Sequence, residues 1–186
     1  DGTFLLGGVS ETGLALVRLT AEGKSEELPL PDSTEYLYAL CPDGAGGAWL
    51  LCGSLPKGYF DAFGNFRFLS KEPEGKLALA HYDAAFALQE PVLLQTQYTA
   101  RFFQLCRLEG GFCMMSASLL SRLDEAGAET SRQSLDAKDG WSFAAIQEAD
   151  GVLYVLTRNF YGEELPELRK FAPDTLSALE ADTCTS

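Results

Sequence analysis

A single histidine, His81, bounds the acid–base chemistry open to this chain. A hydrolase triad needs an imidazole held between a nucleophile and an acid, so His81 is the one candidate base. It falls, however, at a position filled by Arg18, Arg122 and Lys170 in similar segments. A residue that recurs as a cation is a repeat-position residue before it is a catalyst. Carboxylate pairs such as Glu26-Glu27 and Glu163-Glu164 are adjacent in sequence and diverge on an extended chain, which makes them poor glycosidase pairs. Gly44-Ala-Gly-Gly47 lacks the lysine and following helix of a phosphate-cradling loop. No CxxC or HxxxH spacing offers a metal site, and no calcium-binding EF-type loop is present. The expectation is a chain without catalytic residues, metal or cofactor.

The residues that can recognise rather than react are aromatic. Tyr59, Phe60, Phe63, Phe66 and Phe68 crowd one short stretch together with Arg67. Connections are ordinarily polar, so these rings either pack as a satellite core or bind something, and long insertions are disproportionately functional. Trp141, Phe160 and Tyr161, with Arg101 or Arg67 as a polar anchor, complete a candidate platform for a sugar ring or a peptide side chain.

Repeated short strands must position these residues. Four segments each begin with glycine and continue with apolar residues: Gly2-Thr-Phe-Leu-Leu-Gly, Gly47-Ala-Trp-Leu-Leu-Cys, Gly111-Phe-Cys-Met-Met-Ser and Gly151-Val-Leu-Tyr-Val-Leu. They are too short for helices and bounded by turn residues, which predicts buried strands. Ahead of three of them runs another apolar stretch, Tyr36 to Cys41, Arg101 to Cys106 and Trp141 to Ile146, joined through Asp43-Gly44, Glu109-Gly110 and Asp150-Gly151. An acidic residue followed by glycine between apolar runs is a hairpin signal. We call these strands a and b. A third strand, c, follows as Leu16-Val17-Arg18-Leu19, Leu79-Ala80-His81-Tyr82, Leu120-Ser121-Arg122-Leu123 and Leu168-Arg169-Lys170-Phe171. Weaker, more polar fourth strands, d, such as Ser25-Glu26-Glu27-Leu28, close each unit.

A four-stranded meander recurring about every 40–45 residues resembles the blades of the β-propeller superfamily. No Trp-Asp dipeptide and no full kelch pattern assigns a subfamily, although Gly46-Gly47 is similar to the kelch double glycine. The expected fold is all-β and propeller-like over residues 1–186, with repeats near 1–31, 32–96, 97–137 and 138–186; a β-sandwich or barrel is the alternative. Asp1-Gly2 matches the a–b turn, so the first repeat is expected to lack its innermost strand. That implies a piece of a propeller of about six to eight blades, or a partner chain or neighbouring domain that supplies the edge.

Composition narrows the partners. Fourteen basic against 27 acidic residues leave a formal charge of −13, which repels phosphate backbones and anionic lipid headgroups. Nucleic acid and membrane insertion are therefore not expected, and no apolar run reaches the ~20 residues of a membrane helix. Five cysteines leave at least one unpaired within the chain. Cys41 and Cys106 share a repeat position that the next copy fills with Ile146, which reads as a small buried hydrophobe. The general resemblance implies a non-catalytic binding or protein-interaction module of an exported bacterial protein, extracellular or cell-surface, with a cytoplasmic location left open. A fragment of a propeller glycosidase or lyase whose catalytic residues lie elsewhere is the alternative.

Overall fold

The structure is a computed structural model that describes residues 3–11, 13–54, 58–60, 66–68, 76–95, 103–116, 119–134, 141–159 and 166–179. Every regular element among them is a strand. The first sheet holds β1 (Phe4–Ser10), β2 (Gly13–Leu19) and β3 (Ser25–Leu28) in sequential antiparallel order. The second begins with β4 (Tyr36–Pro42) and β5 (Ala48–Gly53). After these a separate hairpin, β6 (Gly58–Phe60) and β7 (Phe66–Phe68), is interposed, and β8 (Leu77–Tyr82) and β9 (Val92–Leu93) complete the second sheet. The third sheet is β10 (Phe103–Leu108), β11 (Gly111–Ser116), β12 (Leu119–Asp124) and β13 (Glu129–Ser134). The fourth is β14 (Trp141–Ala149), β15 (Val152–Asn159) and β16 (Glu167–Phe171), with strand d reduced to a bridge between Phe171 and Ala178. These are propeller-type blades, and the first has only three strands: among the described residues nothing pairs with the outer edge of β1.

The chain forms two compact units, residues 1–99 and 100–186. In the first, Leu16 and Leu28 of sheet one meet Leu50, Cys52, Ala78, Ala80 and Tyr82 of sheet two. In the second, Cys106, Leu108, Cys113, Met115 and Leu120 of sheet three meet Leu153, Val155 and Phe171 of sheet four, with Leu176 in the turn beyond. Each unit thus builds its core by stacking one sheet face on the next. In β11 all six residues are buried.

The registers correct the strand b alignment by one residue. Strand c ends pair Phe4 with Leu19, Ala48 with Tyr82, Phe112 with Leu123 and Leu153 with Phe171. Thr3 and Val152 therefore match Gly47 and Gly111, so the expected alignment of Gly2 and Gly151 with those glycines slips. The a–b turns of sheets three and four are equally short, Leu108 pairing with Gly111 and Ala149 with Val152 across two residues, so the equivalent of Gly151 is Gly110 and not Gly111. A one-residue slip exchanges the two faces of a strand. The corrected register also replaces Ile146 by Gln147 as the equivalent of Cys41 and Cys106, since these pair with Tyr154, Trp49 and Cys113. The argument from exchange with isoleucine falls, yet Cys41, Cys52, Cys106 and Cys113 are all buried and none is in a disulfide. Burial pushes the Cys113 thiol up to about 12, with Cys106 opposite adding to it. Cys184 lies outside the described residues.

Candidate functional site

Three places in the first unit carry polar or aromatic groups that the sheets alone do not require. The first is the turn joining β4 to β5. Asp43 Oδ1 accepts hydrogen bonds from the backbone N–H groups of Ala45 at 2.7 Å and Gly47 at 2.8 Å. This is an Asx-type turn, and the same i+2 and i+4 pattern recurs at Asp83 and Asp124 in the c–d turns. Gly47 is required by crowding: a Cβ there would run into the Tyr82 carbonyl and stand 2.7 Å from Asp43 Oδ2. The second carboxylate oxygen, Oδ2, lies 3.0 Å from His81 Nε2. An ionised carboxylate only accepts, so Nε2 carries the proton. The imidazole stacks on Trp49 opposite it in register, with ring centroids 4.4 Å apart at 18°.

Burial draws the Asp43 carboxyl upward, but the His81 hydrogen bond and the two backbone N–H groups outweigh it, leaving the group below the usual carboxylate range. This array orients a turn. One imidazole nitrogen and one face of the ring are committed to Asp43 and Trp49.

The recurring strand c cations behave in the same way. Arg18 lies 3.6 Å from Glu26 and 4.4 Å over the Phe86 ring. Arg122 donates to the Leu123 and Glu109 carbonyls, both at 2.7 Å. Lys170 sits 6.0 Å over the Tyr154 ring. Each has a local partner, so these side chains serve their own blades and turns.

The second place is a groove of about 480 Å³ lined by Phe4 and Leu5 of β1, Leu40 to Pro42 of β4, the Gly44–Ala48 turn and Phe86. Its volume is that of a small-molecule site. It opens at the end of the unit that carries the a–b and c–d turns, opposite to the b–c connection that holds the aromatic insertion. Phe86 holds φ at 62° where the equivalent Gly23 and Gly127 hold 79° and 75°. A non-glycine residue there is strained by about 1 kcal/mol or more, and a Phe-for-Gly exchange at one copy of a turn was the signal available in the sequence.

The third place is the β6–β7 hairpin, which forms a two-stranded sheet of its own within the b–c connection of the second repeat. Its register pairs Tyr59 with Arg67 and Phe60 with Phe66. Four of the expected ligand residues are thereby brought onto one ribbon. Trp141 opens β14 in the second unit, paired with Asn159. Phe63, Arg101, Phe160 and Tyr161 lie outside the described residues. No group of three metal-capable side chains occurs among the described residues.

No known family pattern matches the chain, and no curated protein matches it. Among solved structures, it is similar to the GH43 BlXynB protein from Bacillus licheniformis, with a TM-score of 0.57 at 8% identity over 98% of this chain and 40% of that one. It also aligns with the Neurospora crassa Pan2 WD40 domain, TM-score 0.49 at 10% identity over 95% and 50% of the two chains. A streptogramin B lyase structure aligns with TM-score 0.41 at 13% identity over 98% and 74%. The chain spans half or less of the first two structures. At 8% identity the BlXynB likeness shows the fold alone, and that fold is the β-propeller.

Proposed function

We propose that this chain is a non-catalytic recognition module that binds a sugar ring or a peptide side chain on the aromatic hairpin. The observation that carries the reading is that, among the described residues, β6 and β7 pair only with each other and extend neither neighbouring blade. A lone two-stranded hairpin is marginal in water, so a hairpin kept apart from the sheets and filled with Tyr59, Phe60, Phe66 and Phe68 is costly architecture unless its surface is used. Aromatic side chains suit that use, because a large rigid ring contributes contact area at low entropic cost. Arg67, paired with Tyr59 across the hairpin, brings a guanidinium to the same ribbon as a donor for a hydroxyl or carboxylate. Phe63 joins the same proposed surface on the strength of its sequence position. Commitment of His81 to Asp43 and Trp49 supports the non-catalytic part of the reading. An extracellular or cell-surface setting goes with it.

Glycan and peptide arrays probed with the intact chain, followed by titration calorimetry, test the proposal. Binding should weaken about ten- to a hundredfold in the Tyr59→Ala/Phe66→Ala double variant, with the melting temperature within a few degrees of the parent. Unchanged affinity would remove the hairpin from the site. A large loss of melting temperature would make it a structural cap, and turnover of a bound glycan would overturn the non-catalytic reading.

A further inference from the structure

Cys106 of β10 and Cys113 of β11 stand directly opposite one another across the hairpin that opens the third sheet. Opposed residues of an antiparallel pair project to the same face, and both side chains belong to one core cluster, 6% and 0% exposed. The juxtaposition is particular to this hairpin. Cys41, the equivalent of Cys106 in sheet two, is paired with Trp49, and Cys52 lies between Leu37 and Ala78. Among the described residues no other two cysteines are opposed in register.

The geometry of the ladder suits a bond between them. Directly opposed residues of antiparallel strands hold their Cα atoms about 4.5–5.5 Å apart, inside the roughly 4.4–6.8 Å span of a disulfide. The backbone therefore already sets the separation that the bond requires. Their proximity is also felt electrostatically, since Cys106 opposes ionisation of the Cys113 thiol.

We infer that Cys106 and Cys113 are a redox pair that closes to a cross-strand disulfide when the chain folds in the presence of a small-molecule disulfide such as oxidised glutathione. The Cys106 thiolate attacks that reagent, whose sulfur–sulfur bond breaks to release one glutathione thiolate and leave a mixed disulfide on Cys106. The Cys113 thiolate then attacks the Cys106 sulfur and expels the second glutathione. In balance, two protein thiols lose two protons and two electrons, and glutathione disulfide takes them up as two thiols.

Folding fixes the state of the pair. Burial pushes the Cys113 thiol up to about 12 and moves the Cys106 thiol upward as well, so neither supplies much thiolate once the core has formed. An exchange reagent must also reach sulfurs that the core covers. A chain folded in a reducing setting keeps its thiols, and one folded in an oxidising setting keeps its bond. The extracellular setting proposed above goes with the joined form, whereas the pairing itself stands apart from that setting and from the ligand of the aromatic hairpin.

Peptide mapping of the intact, unsubstituted chain tests this. The chain is refolded from urea in a mixture of reduced and oxidised glutathione, trapped with iodoacetamide and digested with trypsin. Cleavage after Arg107 separates the two cysteines, because residues 102–107 carry only Cys106 and residues 108–122 only Cys113. The expected result is these two peptides joined, lighter by two hydrogens than their sum, as the main form of both cysteines. A chain folded under reducing conditions and then given the same buffer without urea should oxidise roughly tenfold more slowly or less. Alkylation of both cysteines after oxidative refolding overturns the inference. So does a lasting mixed disulfide with glutathione, or a bond from either cysteine to Cys41, Cys52 or Cys184. A folded chain that oxidises as fast as a refolding one overturns the claim that folding fixes the state.

Discussion

Strands β1 and β11 hold the same place in their sheets, yet one is open and the other enclosed. Each is strand b, antiparallel to a strand c that carries an arginine, Arg18 or Arg122. All of Gly111 to Ser116 is buried, whereas Phe4 and Leu6 are more than half exposed. Both segments are apolar, so composition does not separate them. What does differ within the sheets is the edge: β11 pairs with β10 on its outer side, whereas among the described residues nothing pairs with β1 there.

Cavity formation offers the largest test of that contrast. Met114→Ala should destabilise the chain by about 2–5 kcal/mol, because the vacated volume in a packed core collapses only in part. Leu6→Ala, at the equivalent position on the open sheet, should stay within about 1 kcal/mol. Urea titrations of the two variants give both values, and a Leu6→Ala cost equal to that of Met114→Ala would break the comparison.

Glycines sharpen it next. A Cβ on Gly111 would strike the Leu123 carbonyl at a φ of 156°, while Gly8 faces open space. Gly111→Ala should lose at least ~2 kcal/mol, given the clash and the strained backbone together, and Gly8→Ala should stay within about 0.5 kcal/mol.

Turns carry the same difference between enclosed and open. Asp43 and Asp124 make the same backbone hydrogen bonds, but only Asp43, with 8% of its side chain exposed, is also bonded to a histidine. Asp43→Ala should cost ~1–3 kcal/mol and Asp124→Ala about 1 kcal/mol. Because the folded state holds the Asp43 carboxyl below its ordinary value, its contribution is present in full above the unfolded carboxylate pKa of ~3.9 and disappears as pH falls through the lower folded value. The gap between wild type and Asp43→Ala should therefore be constant near neutral pH and narrow below about pH 4 in urea titrations.

Phe86 and Gly127 provide the smallest contrast. Both occupy the left-handed residue of a c–d turn. Phe86→Gly relieves about 1 kcal/mol of backbone strain and removes the Arg18 contact, worth ~0.5–1 kcal/mol, so its stability should stay within about 1 kcal/mol of wild type. A loss well beyond that would show that the ring organises the groove beside β1.

Much of the architecture was already legible in short-range pattern. The expected stretches Tyr36 to Cys41, Gly47 to Cys52, Leu79 to Tyr82 and Gly111 to Ser116 are β4, β5, β8 and β11 with ends within a residue or two. The reason is physical: four to six apolar residues between acidic-residue–glycine turns leave the chain few alternatives to an antiparallel meander. The aromatic insertion was legible as an anomaly, since Tyr59, Phe60 and Phe66 stand where polar residues are usual. What could not be read was register. Gly2, Gly47, Gly111 and Gly151 look interchangeable in sequence, but strand pairing alone shows that Gly111 begins β11 while Gly151 ends the turn before β15, and with that the face that each following side chain takes.

The sequence alone determined that this is an all-β chain of four repeats with one histidine and a strongly acidic surface, because propensity, turn chemistry and charge are local or summed properties of residues. Tertiary structure alone decided that His81 turns to Asp43, that Arg18 lies over Phe86, and that Leu6 is bare where Met114 is enclosed. Those outcomes depend on which sheet face meets another, and that contact joins residues with no neighbourhood in sequence.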